Sequence, residues 1–388
     1  MSINQIADLA YDVVLPEVHK ILHNTMVMSR LVDVNTMEEV KKKGQTIDIT
    51  LPQDKHDPVD VDSTSGMSTT VIKANTVPVT LDEWKGLQWE LDDRDFLGTV
   101  IGGQLPSIME GFAIDIANYI DQRVLMVAAE TNNYYGTAGS TPSAKADLIG
   151  ARKILRKNGV PVANNPMISA VLGSDAEANM LEVFSNTNEN GNQATVETGM
   201  LGSPFGLATY ADQNIDELEH IAGTFSTTGT PAVNGAVLEG ATVMNFDGGA
   251  GVETVKKNDL FTVAGVEGSF VFTADATAVA GAVTGATFSP AAPAGGFDDN
   301  ALITVIPSHF NNYVFHRNAI VLAIRPLEED GIQVGDSSAI ITVTEPNSGI
   351  SLRLETWRDP YRKKRMWSLD VLTGVVLVRK EMIVRLLG

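Results

Sequence analysis

Apolar residues recur with two different periods along this chain, and these periods predict where helices and strands lie. Near the start, one helical face carries an apolar set: Ile3, Ile6, Ala10, Val13 and Val14. The pattern breaks at Pro16 and resumes with a second set: Val18, Ile21, Leu22 and Met26. We expect two short amphipathic helices here. Since they have no evident core of their own, they are predicted to form an arm that packs on the body or on a neighbour.

Between residues 44 and 80 the period changes to two. The segments QTIDITL and TTVIKANTVPVTL alternate and are rich in β-branched residues, and they flank the polar stretch PQDKHDPVDVDSTSG. This pattern predicts a long two-stranded β-finger with an acidic end. Because an isolated hairpin is only marginally stable in water, we expect the finger to lie on something else, which includes another subunit.

The strongest helical pattern follows residue 100. A helix is expected to begin at Pro106, a residue favoured in the first turn, and to run to about Glu130. An i, i+4 apolar stripe runs along it: Ile108, Phe112, Ile116, Ile120, Val124 and Val127. At 1.5 Å per residue this helix is about 37 Å long, enough to brace a whole domain.

A compact α/β region is expected next. The pattern predicts a helix over 144–158, a buried strand over 167–172, and a helix from Ser174 to about Phe184 that opens with a capping box. The segment GLATYAD is strand-like and closes this region.

From about Gly223 to about Asn300 the chain is rich in Gly, Ala, Thr and Val and has no helical period. Turn residues separate four strand candidates: AVLEGATVMN, VKKNDLFTVAGV, GSFVFTAD and TGATFSPA. We predict a small antiparallel barrel or sandwich inserted in a loop. Strand-like segments resume after it, and LDVLTGVVLVRKEMIVRLLG is expected to form a final strand pair.

Composition narrows the classes of function. With 388 residues, 44% apolar and 20% charged, the chain is expected to form two or three globular units. No run approaches the roughly 18 apolar residues of a bilayer span, and the start lacks the basic stretch of a secretory signal. The chain has no cysteine, so disulfides, thiolate nucleophiles and Cys-based metal sites are excluded.

The charge bears on partners. The formal net charge is −20, which disfavours a protein that reads nucleic acid, because such binding needs basic residues to displace counterions. The segment 353–388 differs, since its nine Lys or Arg against four acids give a local balance of +5. Acidic loops elsewhere are expected to face it.

Motifs that carry chemistry were sought and none is convincing. No lysine directly follows a glycine, which excludes a Walker A loop, and no cofactor is expected. His19 and His23 share a helical face, but we interpret them as surface or packing residues because no third ligand is nearby. Four acids that resemble a catalytic carboxylate set are interpreted as a charged helix entry or turn: Glu90, Asp92, Asp93 and Asp95.

Two charged segments are candidates for contacts between subunits. The first is the tip of the predicted finger: Asp54, Lys55, Asp57, Asp60 and Asp62. It resembles a calcium loop only superficially, since its glycine comes one position late and Val71 occupies the place of the final acid. The second is a basic run: Arg358, Arg362, Lys363, Lys364 and Arg365. On an acidic protein, such a run more often marks an inter-subunit salt-bridge surface than a phosphate site.

Several segments resemble one family: the major capsid proteins of tailed bacteriophages with the HK97-type fold, and specifically the P22-like branch. The segments are NNYVFHRNAIVLAIRPL (311–327), RMWSLDVLTGVVLVRKEMIVRLLG (365–388), KKNDLFTVAGV (256–266) and GSPFGLATYADQN (202–214). The resemblance covers nearly the whole chain. The inserted stretch is shorter than is typical of that branch, so a long loop for contacts between capsomers is not expected.

The resemblance implies an α+β fold whose parts are named in the family. They are an N-terminal arm (1–30), an E-loop (48–78), a peripheral domain (31–47, 79–130 and 351–388) that carries the spine helix, an axial domain (131–222 and 303–350), and an inserted all-β domain (223–302). The segment that begins near residue 311 then resumes the axial domain after the insertion.

The implied function is a non-enzymatic shell protein that assembles in the host cytoplasm into the icosahedral capsid of a virion. Its partners are further copies in hexamers and pentamers, a scaffolding protein and a portal protein, and it encloses double-stranded DNA without sequence-specific binding. An acidic wall suits a shell filled by a packaging motor. Three alternatives stay open: a virion decoration or adhesin-like binding protein, an encapsulin-type compartment, and a cytosolic enzyme that uses His309, His316 or Asp370.

Overall fold

The computed structural model describes residues 26–35, 44–51, 75–92, 99–162, 167–185, 201–325, 339–344 and 351–388. The expected arm, apart from its last residues, lies outside these ranges, as do His19, His23, Asp93 and Asp95. Within them the fold is α+β and strands dominate. The α-helices of the described residues are α1 (Met28–Leu31), α2 (Thr99–Ala128), α3 (Lys145–Lys157), α4 (Ser174–Ser185) and α5 (Asn214–Glu217).

The strands before residue 225 are β1 (Asp33–Asn35), β2 (Thr46–Leu51), β3 (Asn75–Thr80), β4 (Glu83–Asp92), β5 (Tyr134–Tyr135), β6 (Ile168–Leu172) and β7 (Ala208–Ala211). The next eight are β8 (Ala232–Val233), β9 (Val243–Asp247), β10 (Thr254–Val255), β11 (Leu260–Val263), β12 (Phe270–Phe272), β13 (Ala276–Thr277), β14 (Val283–Ser289) and β15 (Ile303–Val305). The last six are β16 (Asn311–His316), β17 (Ile320–Arg325), β18 (Ala339–Thr344), β19 (Ser351–Asp359), β20 (Lys364–Leu377) and β21 (Ile383–Leu387).

The chain divides into two compact units. The first contains β2, β3, β4, β18, β19, most of β20 and the second half of β17. Strand β20 lies between β4 and β19, and it pairs antiparallel with both, while β18 pairs with β19. Strands β2 and β3 form a separate two-stranded sheet, in register from Thr46 opposite Thr80 to Leu51 opposite Asn75. The strands predicted for the finger therefore pair as expected.

The second unit contains most of α2, the helices α3 to α5, and a five-stranded central sheet in the order β5-β21-β16-β6-β7. Strand β16 pairs antiparallel with β21 and β6, and β7 is parallel to β6. Helices α3 and α4 cover this sheet with an apolar set: Leu148, Ala151, Leu155, Ala176 and Met180. The predicted α/β region is confirmed in its elements, and every residue of β6 is buried.

Two expectations for the regular elements need correction. Helix α2 begins at Thr99, before the expected Pro106, because the first-turn preference of proline does not exclude it from a later position. The segment that ends the sequence is not one strand pair, since β20 pairs with β19 and β4 whereas β21 pairs with β16 and β5. A 3-10 turn over Lys380–Met382 separates the two strands, and alternation alone does not identify the partner of a strand.

The division into units also differs from the expected domain map. The map placed α2 and residues 351–388 in one domain, whereas most of α2 and residues 377–388 belong to the second unit. It placed residues 303–350 in the other domain, whereas β18 belongs to the first unit. The chain crosses between the units within β17, where neither a turn residue nor a change of composition marks the boundary.

Residues 223–305 form a β-rich segment within the second unit. Its main sheet has the order β15-β11-β12-β14-β9-β8. Its own core contains the side chains of Phe225, Phe246, Phe261, Phe270, Phe272, Phe288 and Phe297, whose rings lie as close as 4.3 Å between centroids. The strand expected over AVLEGATVMN is displaced to β9, because backbone turns occupy positions 235 and 240, where glycines adopt positive φ.

Candidate assembly surfaces

The finger formed by β2 and β3 has one apolar and one polar face. Ile47 and Val79 are buried at its base and pack with Leu81, Ala323 and Leu372. Further along, Ile49 and Val77 are only half-buried, whereas the threonines of the other face are exposed. Along the described part of the finger, the apolar face is therefore buried at Ile47 and Val79 and only half-buried at Ile49 and Val77, which lie farther from the base.

The basic run lies at the turn between β19 and β20. Arg358, Arg362 and Lys363 are exposed, and Tyr361 is 93% exposed between them. Asp359 fixes the turn, since its Oδ1 accepts hydrogen bonds from the backbone N–H of Tyr361 (2.9 Å) and Arg362 (3.1 Å). The turn thus exposes Arg362, Lys363 and the ring of Tyr361 beside Arg358 at the end of β19, and Arg362 Nε lies 3.9 Å from Asp359 Oδ2.

The two remaining basic candidates, Lys364 and Arg365, lie in β20. Lys364 forms an ion pair with Glu90 on β4, so it is engaged within the chain. The backbone of Arg365 is in register with Arg358. The acidic candidates Asp54, Lys55, Asp57, Asp60 and Asp62 lie outside the described residues. A contact between subunits through either set stays a prediction.

A polar cluster lies on the sheet that carries this turn. Arg353 on β19 and Asp370 on β20 are both mostly buried and form a two-bond ion pair. The indole Nε1 of Trp84 on β4 donates to Asp370 Oδ2 at 3.1 Å, and the Arg353 guanidinium lies 6.0 Å from the Trp84 ring centroid. The cluster joins three adjacent strands, and such charge-assisted bonds are the stronger class.

A second polar cluster joins the β-rich segment to the central sheet, and we call it the Arg385 junction. Arg385 on β21 is fully buried. It donates to the carbonyl oxygens of Ala129, Thr131 (3.0 Å) and Asn258 (3.1 Å). Burial lowers the pKa of its guanidinium to about 10, so it still carries its charge at neutral pH.

Asp259 is the buried carboxylate of this junction. It accepts hydrogen bonds from His220 Nε2 (2.7 Å), from the Gly223 N–H (3.0 Å) and from the Lys256 N–H (2.7 Å). His220 lies against His309, with 5.3 Å between the ring centroids. The carboxylate therefore holds both the histidine that enters the β-rich segment and two backbone groups within it.

His309 is kept neutral at the junction. Burial lowers its pKa to about 4, and the nearby charge of Arg385 acts in the same direction. Its Nδ1 donates to the Pro307 carbonyl at 2.7 Å, so Nε2 carries the lone pair. Nε2 and the adjacent Asn311 Oδ1 have no partner among the described residues. With the Asn311 amide turned by 180°, its Nδ2–H would donate to Nε2.

Asp121 on α2 binds the N-terminal end of α1. Its carboxylate accepts from the backbone N–H groups of Val27 (2.6 Å) and Ser29 (2.9 Å). The side chain is 1% exposed, and this burial raises its pKa to about 6 despite the two hydrogen bonds. A carboxylate on α2 thus fixes residues 27–29 to that helix.

Two of the three residues suggested for an enzyme lie in polar contacts within the chain. Asp370 is paired with Arg353, and His316 Nδ1 accepts from the Asn318 N–H at 3.2 Å, so two of the residues suggested for an enzyme have structural partners. Within the described ranges no three His, Asp or Glu side chains are grouped as metal ligands. Among the helices that the structure describes, none is long and apolar enough to cross a membrane.

The sequence indicates two of these buried residues, because each is a charge within an apolar pattern. Asp121 sits beside Ile120 in the apolar stripe of the spine helix, where an acid is unexpected. Arg385 interrupts the apolar run IVRLL of β21 in the same way. Sequence reasoning passed over both, and it also missed Asp259 and His220, which no local pattern distinguishes.

Comparison with known proteins shows likeness in structure and not in sequence. No protein-family model and no curated protein matches the chain. A solved structure described as Mycobacterium phage Che8 has a TM-score of 0.51 and 12% identity, and the match covers 93% of this chain and 90% of that one.

Two further structures match with TM-scores below 0.5. The capsid structure of the Cyanophage P-SCSP1u has a TM-score of 0.46 with 10% identity over 93% of this chain and 88% of that one. The asymmetric unit of the bacteriophage PhiM1 mature capsid has a TM-score of 0.43 with 10% identity over 93% and 87%. The likeness to the Mycobacterium phage Che8 structure is one of fold, in agreement with the expected resemblance to a phage capsid protein, and the P22-like branch stays a prediction.

Proposed function

We propose that this chain is the major capsid protein of a tailed phage. It belongs to the P22-like branch of the HK97-type fold, and it assembles into an icosahedral shell that encloses double-stranded DNA. In this proposal the finger is the E-loop, α2 is the spine helix, the central sheet forms the axial domain, and the β-rich segment is the inserted domain on the outer surface.

The finger is the observation that carries the proposal. It is a two-stranded sheet of its own, and among its described residues the body buries the apolar face fully at Ile47 and Val79, whereas Ile49 packs on the same cluster but stays half-buried. Two-stranded ribbons are marginally stable alone. A second copy that covers the half-buried Ile49 and Val77 supplies the missing contact, and such extended contacts suit subunits that repeat in a shell.

The charge supports the same function. Copies with a net charge of −20 repel one another, so their contacts need apolar surface or opposite charge. The exposed Arg358, Arg362 and Lys363 offer opposite charge, and the acidic finger tip of a neighbour is their proposed partner. An acidic wall also keeps packaged DNA from binding tightly.

The other parts of the proposal follow from the shell. The partners are further copies of the chain in hexamers and pentamers, together with a scaffolding protein and a portal protein. The protein is a component of the virion and is assembled in the host cytoplasm. It carries out no catalysis, because its work is to hold copies of itself in a fixed geometry.

Assembly of the purified chain tests the proposal. We expect negative-stain microscopy to show closed shells, with or without a candidate scaffolding protein. Val77→Asp places a charge on the apolar face and should abolish the shells while the subunit keeps its circular dichroism. Thr76→Asp on the exposed face is the matched control and should reduce shell yield far less.

One result would contradict the proposal. It is that the unaltered chain stays a stable monomer under every shell-forming condition. Val77→Asp and Thr76→Asp would then leave this monomer equally unchanged. Hydrogen exchange would then show β2 and β3 protected in the monomer, since the finger would be covered by its own body.

A further inference from the structure

One end of the β-rich segment exposes two large apolar side chains side by side. Val252 and Val279 are each 78% exposed. Strands β10 and β13 pair with Thr254 opposite Thr277 and Val255 opposite Ala276. The Ala278 N–H donates to the Glu253 carbonyl at 2.7 Å, which continues the pairing. Continuing the register by one more residue places Val252 opposite Val279, and we call this pair with its two loops the valine tip.

The valine tip is built rigidly. Its loops, 248–252 and 278–282, are joined by hydrogen bonds from the Gly249 N–H to the Gly281 carbonyl and from the Gly281 N–H to the Gly251 carbonyl, both 2.9 Å. Gly281 has a φ of +80°, and a Cβ there would lie 2.2 Å from the Gly249 oxygen. Position 281 therefore tolerates only glycine, because only glycine lets the two loops approach this closely.

A buried carboxylate holds the same loop. Glu253 is 8% exposed, and its two oxygens accept from the N–H groups of Ala250 (2.7 Å) and Gly251 (2.9 Å). These hydrogen bonds lower the pKa of Glu253, the one from Gly251 most. Its side chain turns inward while Val252, its neighbour, turns outward. The loop backbone thus satisfies the Glu253 carboxylate, and this fixes the neighbouring Val252 in its exposed position.

The chemistry of the tip indicates what covers it. No charged residue occurs at 248–252 or 278–282, although the whole chain carries −20. Acidic copies approach one another at lowest cost through uncharged surface, because like charges across a contact are unfavourable. By comparison, Leu238 is equally exposed on the same segment but is followed by the exposed Glu239, whereas the Glu253 that follows Val252 is buried. Rigid apolar contacts also lose little conformational entropy on binding.

We infer that the valine tip is a contact point between copies of this chain, where Val252 and Val279 are buried against a second copy. This inference rests on the proposed shell function. Two valines bury little area, so the contact is weak alone and acts through repetition around the shell. The valine tip differs from the basic turn because it is uncharged, and it differs from the finger because it is a small contact and not an extended one.

The absence of cysteine makes the test direct. In Val252→Cys the new thiol is the only one in the chain, and its labelling by a maleimide is compared in shells and in dissociated subunits. We expect labelling to slow about tenfold in shells, as thiol reactivity follows access. Leu238→Cys is the control, with equal exposure in the subunit, and should slow much less. Val252→Asp should lower shell yield relative to Leu238→Asp.

The outcomes separate the two proposals. Shells in which Val252→Cys labels as fast as in free subunits would overturn the valine tip and leave the shell function standing. Equal slowing at positions 252 and 238 would also overturn it, because it would reflect general crowding. If the unaltered chain forms no shells at all, the shell function fails and the valine tip fails with it, whereas the labelling comparison within shells tests the valine tip alone.

Discussion

Arg353 and Asp370 face each other across β19 and β20 and form an ion pair with two hydrogen bonds, Nε to Oδ1 at 2.9 Å and a terminal nitrogen to Oδ2 at 2.5 Å. Their side chains are 13% and 8% exposed. Asp370 had been considered as a catalytic residue of an enzyme, but its carboxylate is engaged by Arg353 and by Trp84. The pair connects the strand that leads into the basic turn with the strand that leaves it.

Breaking this pair should destabilise the first unit. Asp370→Asn leaves the buried guanidinium without its carboxylate, and we expect a loss of about 3 kcal/mol in the free energy of unfolding. Arg353→Lys keeps the charge but loses the two-bond geometry, so its cost should be smaller. Urea unfolding measures both. If Asp370→Asn costs no more than a surface substitution such as Arg362→Gln, the pair does not support the sheet.

His309 makes the stability of the second unit depend on pH. Its pKa is lowered to about 4 from 6.5 by burial. Between these values His309 is protonated in the unfolded chain but neutral in the folded chain. The free energy of unfolding is therefore highest above pH 6.5 and decreases as the pH falls through 4. The shift corresponds to about 3 kcal/mol at most. His309→Gln should flatten the dependence of the free energy of unfolding on pH in this window.

His316 provides the matched control for this experiment. It is also buried and its pKa is also lowered by burial, but it lies on β16 away from the Arg385 junction. Hydrogen exchange of residues 223–305 at pH 4.5 should be faster than at pH 7 after correction for intrinsic rates, and His309→Gln should remove that difference. If His316→Gln removes it instead, the effect does not arise at the junction.

Asp121 should act in the opposite direction. Its pKa is raised from 3.8 to about 6 by burial, so the folded chain holds a proton that the unfolded chain has released between these values. The stabilisation is therefore full below pH 3.8 and is lost as the pH rises through 6. Asp121→Asn is neutral at every pH, and urea unfolding at pH 4.5 and 7 should show a smaller decrease than in the unaltered chain. An unchanged decrease would exclude Asp121 as its source.

Period and turn chemistry were enough to predict the local elements. Helices α3 and α4, the buried strand β6 and the paired strands of the finger all follow from residues close together in sequence. The basic run was identified from the sequence as a charged segment, but its turn was not predicted, although Asp359 and Pro360 are turn residues. These elements depend on interactions within a few residues, which a single sequence records.

Long-range partners could not be predicted in this way. Arg385 binds the carbonyl of Asn258, which lies 127 residues away, and β21 pairs with β16 rather than with β20. Only the three-dimensional path of the chain brings these groups together. The buried charges Asp121 and Arg385 were the available signal, because a charge within an apolar stripe or run needs a partner that local sequence does not supply.

The base of the finger depends on a close approach between Gly374 and Thr80. A Cβ at Gly374 would lie 2.4 Å from the Thr80 oxygen and 3.0 Å from its carbonyl carbon. Backbone atoms cannot give way as a flexible side chain can, so Gly374→Ala should destabilise the first unit by about 2 kcal/mol and shift the end of β3. Gly111→Ala is the control, since nothing lies within 4 Å of its Cβ in α2 and alanine favours a helix by up to about 1 kcal/mol. Urea unfolding should therefore show opposite signs for the two variants. A neutral Gly374→Ala that still forms shells would mean that the finger does not need this fixed base.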